Sequence, residues 1–211
     1  LAVMMLVERG EILLSDPVER YIPSFRNLQV ATSPDFDETG EIPTEPVQSQ
    51  MTVHDLLTHT AGLGYIFDGG TDLGRSMIQN SLYTLDGDLE TRINALAEFP
   101  LYTQPGSEWR YSYATDVAGR IVEVASGLPL DVFMRQEIFN PLRMGHTDFY
   151  LADADFSAMA MVYVFNDAGE MVLPGRRGNL PDPNNDLAGW PSGGGGLVST
   201  AGDDMRFAQL L

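Results

Sequence analysis

A Gln-Pro-Gly turn (Gln104, Pro105, Gly106) runs into Trp109-Arg110-Tyr111-Ser112-Tyr113-Ala114-Thr115-Asp116-Val117-Ala118-Gly119-Arg120, and this stretch constrains the middle of the chain more than any other. The turn ends whatever precedes it. The residues from Asp116 to Ser126 read as a helix, with Gly127 past its end where a left-handed residue closes the last turn. Tyr111 therefore falls at a loop-to-helix junction, where a helix N-terminus can hold negative charge. A tyrosine so placed can act as general base toward a serine hydroxyl, provided a neighbouring group lowers its pKa. Lysine is the usual helper, and this chain has none: its 12 basic residues are all arginine.

Composition narrows the remaining options. With 211 residues, 44% of them hydrophobic, the chain can bury the core of one domain. Its formal net charge of -18 repels phosphate backbones and anionic membranes, which argues against nucleic-acid and lipid-surface partners. The absence of cysteine excludes disulfides and thiolate metal sites, and is compatible with the cytoplasm and an extracytoplasmic space alike. No apolar run is long enough to span a bilayer. Leu1 to Val7 lacks the basic flank and cleavage signature of a signal peptide and reads as the interior of a helix. Asp203 to Leu211 reads as an amphipathic helix that simply stops, so the expectation is a domain truncated at both ends.

Between these ends the punctuation is clear in places. Leu1 to Arg9 is a mostly apolar helix stopped by Gly10. Asn27 to Gln50, rich in Pro, Thr, Glu and Asp, reads as an exposed loop. Thr52 caps a helix from Val53 to Thr58, with Asp55 completing a capping-box pattern. Tyr65 to Gly87 reads as irregular. Leu89 to Glu98 is helical and stops before Pro100, and Leu130 to Ile138 is helical after Pro129. Met161 to Phe165, Asn166 to Gly169 and Met171 to Leu173 read as strand, turn and strand. Pro174 to Pro191 reads as a long loop, and Gly193 to Gly196 lead into the last helix.

Several tempting motifs fail on inspection. His54 and His59 are five apart, which is not the spacing of a helical zinc pair, and no third ligand stands near them in sequence. His59-Thr60 instead suits hydrogen bonding in the turn that follows, and His146 reads as a loop histidine. The glycine run lacks the Gly-Lys-Ser/Thr of a phosphate loop. Ser192 is no nucleophile elbow, since Trp190 occupies the first glycine position of Gly-x-Ser-x-Gly. Asp203 and Asp204 fit the first turn of the last helix. Neither a metal nor a cofactor is implied.

Five segments in order carry a resemblance: Met4 to Phe25, Val53 to Tyr65, Gln104 to Leu130, Ile138 to Phe149 and Pro191 to Leu211. Together they resemble the serine β-lactamase-like superfamily, and most closely its class C-like branch, with family VIII carboxylesterases and D-Ala-D-Ala carboxypeptidases. The resemblance implies an α/β transpeptidase-like fold, an antiparallel sheet flanked by helices with a largely helical subdomain. Residues 1–211 would be mostly that helical part, a partial domain with a few short strands and an incomplete sheet.

In that family a Ser-x-x-Lys motif opens a buried helix, and the first matching segment is similar to the later part of that helix. The resemblance thus puts the serine and lysine upstream of Leu1, and a third motif on a strand after the last helix. Of the three motifs, this chain matches the tyrosine one, through Tyr111. Tyr113 stands where many members have Asn, as esterase-like members often depart. The resemblance further implies that Tyr113, Trp109, Gly194 and Gly195 border the substrate. The implied reaction is acyl transfer to water through an acyl-serine, on a small-molecule carboxylic ester first and a β-lactam or D-Ala-D-Ala amide second. The alternative is a non-catalytic, peptidoglycan-type binding remnant, and the fragment alone is expected to be inactive.

Overall fold

The pivot of the structure is the helix that follows the tyrosine loop. The computed structural model describes residues 1–80, 86–150, 158–160, 163–166, 168–172 and 190–210. In it α1 spans Ala2–Glu8, α2 Val53–Leu57, α3 Asp72–Gln79, α4 Leu89–Leu96, α5 Ala114–Ser126, α6 Leu130–Met134 and α7 Ala201–Ala208. Ala114, Val117, Ala118, Ile121 and Val122 form one buried stripe along α5, and α1, α2, α4 and α6 all pack against that helix. Spacings of three and four residues put these side chains on one face. Burying each larger aliphatic side chain contributes about 1.5–3 kcal/mol.

Most helix ends obey local rules. Thr52 caps α2 reciprocally: its hydroxyl accepts from the Asp55 N–H, and the Asp55 carboxylate accepts from the Thr52 N–H at 2.9 Å. Gly127 closes α5 in the left-handed region at φ 72°, and Gly10 takes φ 74° just beyond α1. Asp88 caps α4, which ends at Leu96, and α6 runs into a π-helical turn at Arg135–Phe139.

Two stretches depart from the sequence reading. Asn27 to Gln50, expected as a loop, contains β1 (Gln29–Ala31) and β2 (Thr44–Pro46), which pair antiparallel with Val30 opposite Glu45. The far side of β1 bonds Leu101, through Ala31 N–H to Leu101 O and Leu101 N–H to Gln29 O, both at 2.8 Å. Within Tyr65 to Gly87, α3 is capped by the Thr71 hydroxyl. Its Gly74 is required by close packing, because a Cβ there would meet the Asp68 carbonyl oxygen at 1.8 Å. The expected hairpin is present as β3 (Val164–Phe165) paired with β4 (Met171–Val172); Met161, Val162, Asp167 and Leu173 lie outside the described residues. So does all of the Pro174 to Pro191 loop but its last two residues. Among the described residues the strands form two separate antiparallel pairs beside a mainly helical body, a small and incomplete sheet. No described helix is long and apolar enough to cross a membrane.

Candidate active site

The tyrosine loop is fixed to the turn after α2 by backbone hydrogen bonds at four points. Gly106 N–H donates to Thr60 O, Tyr102 N–H to Gly62 O, Arg110 N–H to His59 O and Tyr113 N–H to Gly64 O, at 2.7–3.2 Å. Two local features make this close approach possible. Gly62 sits at φ 77°, and any Cβ there would lie 2.1 Å from the Thr103 carbonyl oxygen. His59 itself takes φ 55°, a left-handed conformation uncommon for a non-glycine residue. The Arg110 side chain ties the loop to Asp68 at 2.6 Å and lies 3.9 Å from the Tyr102 ring centroid.

These anchors hold Tyr111 at the surface. Its ring is 47% exposed. One face stacks on His59, with ring centroids 5.2 Å apart and planes inclined at 21°, while Tyr65 meets it edge-on at 5.2 Å. Trp109 is 67% exposed and its ring is tilted against that of His59, with centroids 6.2 Å apart. Burial holds the His59 imidazole below its ordinary pKa, so it is neutral at neutral pH. Its Nδ1 is buried and has no hydrogen-bond partner among the described residues.

Tyr113 is placed differently from Tyr111. It is 1% exposed, occupies the N-cap of α5, and packs under Tyr65 at 4.6 Å between ring centroids. Its ring thus backs Tyr65, which in turn meets Tyr111. The two tyrosines straddle Ser112, which is also buried.

The glycine run reaches the same end of α5 from the other side of the sequence. Ser192 Oγ donates to Asp116 Oδ1 at 2.6 Å, and Gly194 N–H donates to the same oxygen at 3.1 Å. Gly195 N–H in turn donates to Ser192 Oγ at 3.2 Å. Asp116 is fully buried in the first turn of α5, and burial pushes its carboxyl up from the ordinary range against the pull of these donors. The structure thus brings Trp109, Tyr111 and Tyr113 together on one loop, and sets Gly194 and Gly195 against the helix start that follows it. Sequence reading missed Asp116 and the stacking role of His59. Neither had a local signal: Asp116 lies off the apolar stripe of α5, where an acidic residue in a first helical turn reads as ordinary, and its partners are distant in sequence.

Asp203 makes a parallel contact at the start of α7, whose N-cap is Thr200. The sequence reading confined it to its own helix. Its carboxylate instead accepts from His146 N–H at 2.7 Å and Thr147 Oγ1 at 3.1 Å, and pairs with Arg206. Among the described residues no group of three His, Asp or Glu side chains gathers as a metal site.

These features define a family. The beta-lactamase family model matches residues 1–211, and the chain belongs to that family. It is similar to the esterase EstB of Burkholderia gladioli, 35% identical over 223 residues that cover 100% of this chain and 53% of EstB. Among solved structures it is similar to EstCE1, described as a hydrolase with promiscuous acyltransferase activity, at a TM-score of 0.71 and 29% identity over 97% of this chain and 53% of that one. It is also similar to simvastatin synthase (LovD) from Aspergillus terreus, at a TM-score of 0.75 and 28% identity over 98% of this chain and 49% of that one. The chain spans about half the length of the relatives it matches. The β-lactamase/transpeptidase fold expected from the five segments is the fold of these neighbours.

Proposed function

We propose that the intact protein is a serine hydrolase that cleaves small carboxylic esters through an acyl-serine intermediate, with Tyr111 as the general base. Residues 1–211 would form part of its β-lactamase-like domain. The observation that carries the reading is the presentation of Tyr111: held by a loop bonded at four points, ring-stacked on a neutral histidine, with its edge open at the start of α5. As the phenolate, its charge balanced by the lysine ammonium, a tyrosine so held can take the proton of a serine hydroxyl as that oxygen attacks the ester carbonyl, then return it to the departing alcohol. Water repeats the sequence on the acyl-enzyme and releases the acid. The serine and its lysine would come from a Ser-x-x-Lys segment upstream of Leu1, consistent with a match to only half the length of the relatives. Trp109 and the backbone of Gly194 and Gly195 would border the substrate, with Tyr113 bracing that wall. The similarity to the esterase EstB and the Tyr111-Ser112-Tyr113 departure favour an ester over a β-lactam or a D-Ala-D-Ala amide.

The test is hydrolysis of short-chain p-nitrophenyl esters and of a chromogenic cephalosporin by the full-length protein, with a serine-directed phosphonate as probe. Ester turnover abolished by a single phosphonate adduct is expected, with slower or no cephalosporin cleavage. Residues 1–211 alone should show no turnover above an unrelated protein. Full-length protein that neither turns over nor takes up the phosphonate would favour a non-catalytic binding role.

A further inference from the structure

We propose that Asp116 is a positioning residue for this reaction, clamping the Ser192–Gly196 loop onto the first turn of α5 so that Gly194 and Gly195 stand as one edge of the site entered by Tyr111. The proposal rests on the hydrolase reading above. Three observations support the clamp. First, one carboxylate oxygen collects both the Ser192 hydroxyl and the Gly194 N–H across 76 and 78 residues of sequence. Second, Ser192 relays the contact, since its oxygen accepts from Gly195 N–H while its carbonyl accepts from Gly196 N–H at 3.0 Å. Third, the glycines are demanded by proximity: a Cβ on Gly193 would lie 2.5 Å from Thr115 O, and one on Gly194 would lie 2.6 Å from Asp116 Oδ2.

No ion pair reaches Asp116 among the described residues, and its oxygen is spent on loop donors rather than on helix capping alone. A buried carboxyl without a cation is a costly way merely to hold a helix start, which a surface Asp or Ser does in water. Its placement makes sense if the loop it holds must keep a fixed edge. Ser192, buried with its proton committed to Asp116, is thereby removed as a candidate nucleophile.

The experiment uses the full-length protein with three substitutions, reading ester kinetics alongside amide hydrogen exchange of peptides covering residues 190–198. Asp116→Ala removes the acceptor and should speed exchange of the loop and raise KM roughly tenfold, with kcat changed less than about threefold, the pattern of lost ground-state positioning. Asp116→Asn keeps an acceptor oxygen and should restore both readouts to near the parent values. Gly194→Ala, whose methyl group would press on the Asp116 carboxylate and push the loop off it while leaving residue 116 an aspartate, should reproduce the Asp116→Ala pattern. It also keeps the test alive should Asp116→Ala fail to fold. Unchanged loop exchange in both Asp116→Ala and Gly194→Ala would overturn the clamp. So would a loosened loop with KM unmoved, which would make Asp116 structural only. A parent with no ester turnover counts against the hydrolase reading, whereas the exchange data judge the clamp by themselves.

Discussion

The starts of α5 and α7 solve one problem in two ways. Each places an aspartate, Asp116 or Asp203, in the first helical turn, buries it completely, and uses it to bind a distant loop through a hydroxyl and a backbone N–H. The carboxyls shift in opposite directions. Burial pushes Asp116 up, and its donors are neutral. Burial would also push Asp203 up, but the His146 N–H, the Thr147 hydroxyl and the Arg206 guanidinium pull it below the ordinary range. Position in the helix is the same, but desolvation outweighs the neutral donors at Asp116, whereas at Asp203 the His146 and Thr147 donors, helped by the Arg206 guanidinium, outweigh it. The staple beside the tyrosine loop is the one without a cation.

Removing Asp203 should therefore hurt more. Asp203→Ala strips partners from His146, Thr147 and Arg206 together, and should destabilise by about 2–4 kcal/mol, discounted because Arg206 is half in water. Asp116→Ala leaves two neutral donors unpaired and should destabilise by about 1–3 kcal/mol. Equal losses, measured by denaturant unfolding at pH 7, would break the comparison.

The pH dependence sharpens it. The Asp203 carboxyl titrates lower in the folded state than in the unfolded chain, so the unfolded chain binds more protons as the medium is acidified. Its contribution is present above the ordinary carboxyl pKa near 3.8 and is lost as pH falls through the lower folded value. The stability gap between parent and Asp203→Asn should narrow below about pH 4. Asp116 has the opposite sign. Its folded pKa is raised, so its contribution is present below 3.8 and is lost as pH rises through the folded value. Asp116→Asn should accordingly match or exceed the parent at pH 7, while Asp203→Asn falls short. A stability loss of the same size in both Asn variants at neutral pH would show that the two carboxyls carry equal charge burdens.

The smallest effect concerns the paired tyrosines. Tyr113→Phe should leave the melting temperature within a few degrees, since the ring packed on Tyr65 is kept, and the lost hydroxyl should shift ester preference more than rate. A large loss of kcat would place Tyr113, rather than Tyr111, at the chemistry.

What was legible in the sequence follows the range of the interactions involved. The Thr52–Asp55 capping box, Gly10, Gly127 and the helix running to Ser126 depend on neighbours within a few residues, and each stands where the residues put it. The β1–β2 pair was unreadable because its register joins Gln29 to Pro46 through a polar, proline-rich stretch with no alternation. The α3 helix hid behind Gly74, a poor helix former kept for its approach to Asp68. At the candidate site, Tyr111 could be singled out by its junction and family pattern. The contacts of Asp116 with Ser192, and of Asp203 with His146, span 76 and 57 residues, and nothing local announces them.

The central claim is that the Tyr111 hydroxyl moves the proton while its ring only packs. Tyr111→Phe in the full-length protein keeps the stack on His59 and the edge contact with Tyr65. The measurement is kcat for a short-chain ester, with the melting temperature recorded on the same sample. A fall in kcat of roughly 10²–10⁴-fold at an unchanged melting temperature is the predicted result. A kcat within about twofold of the parent would contradict it and reduce Tyr111 to a wall of the site.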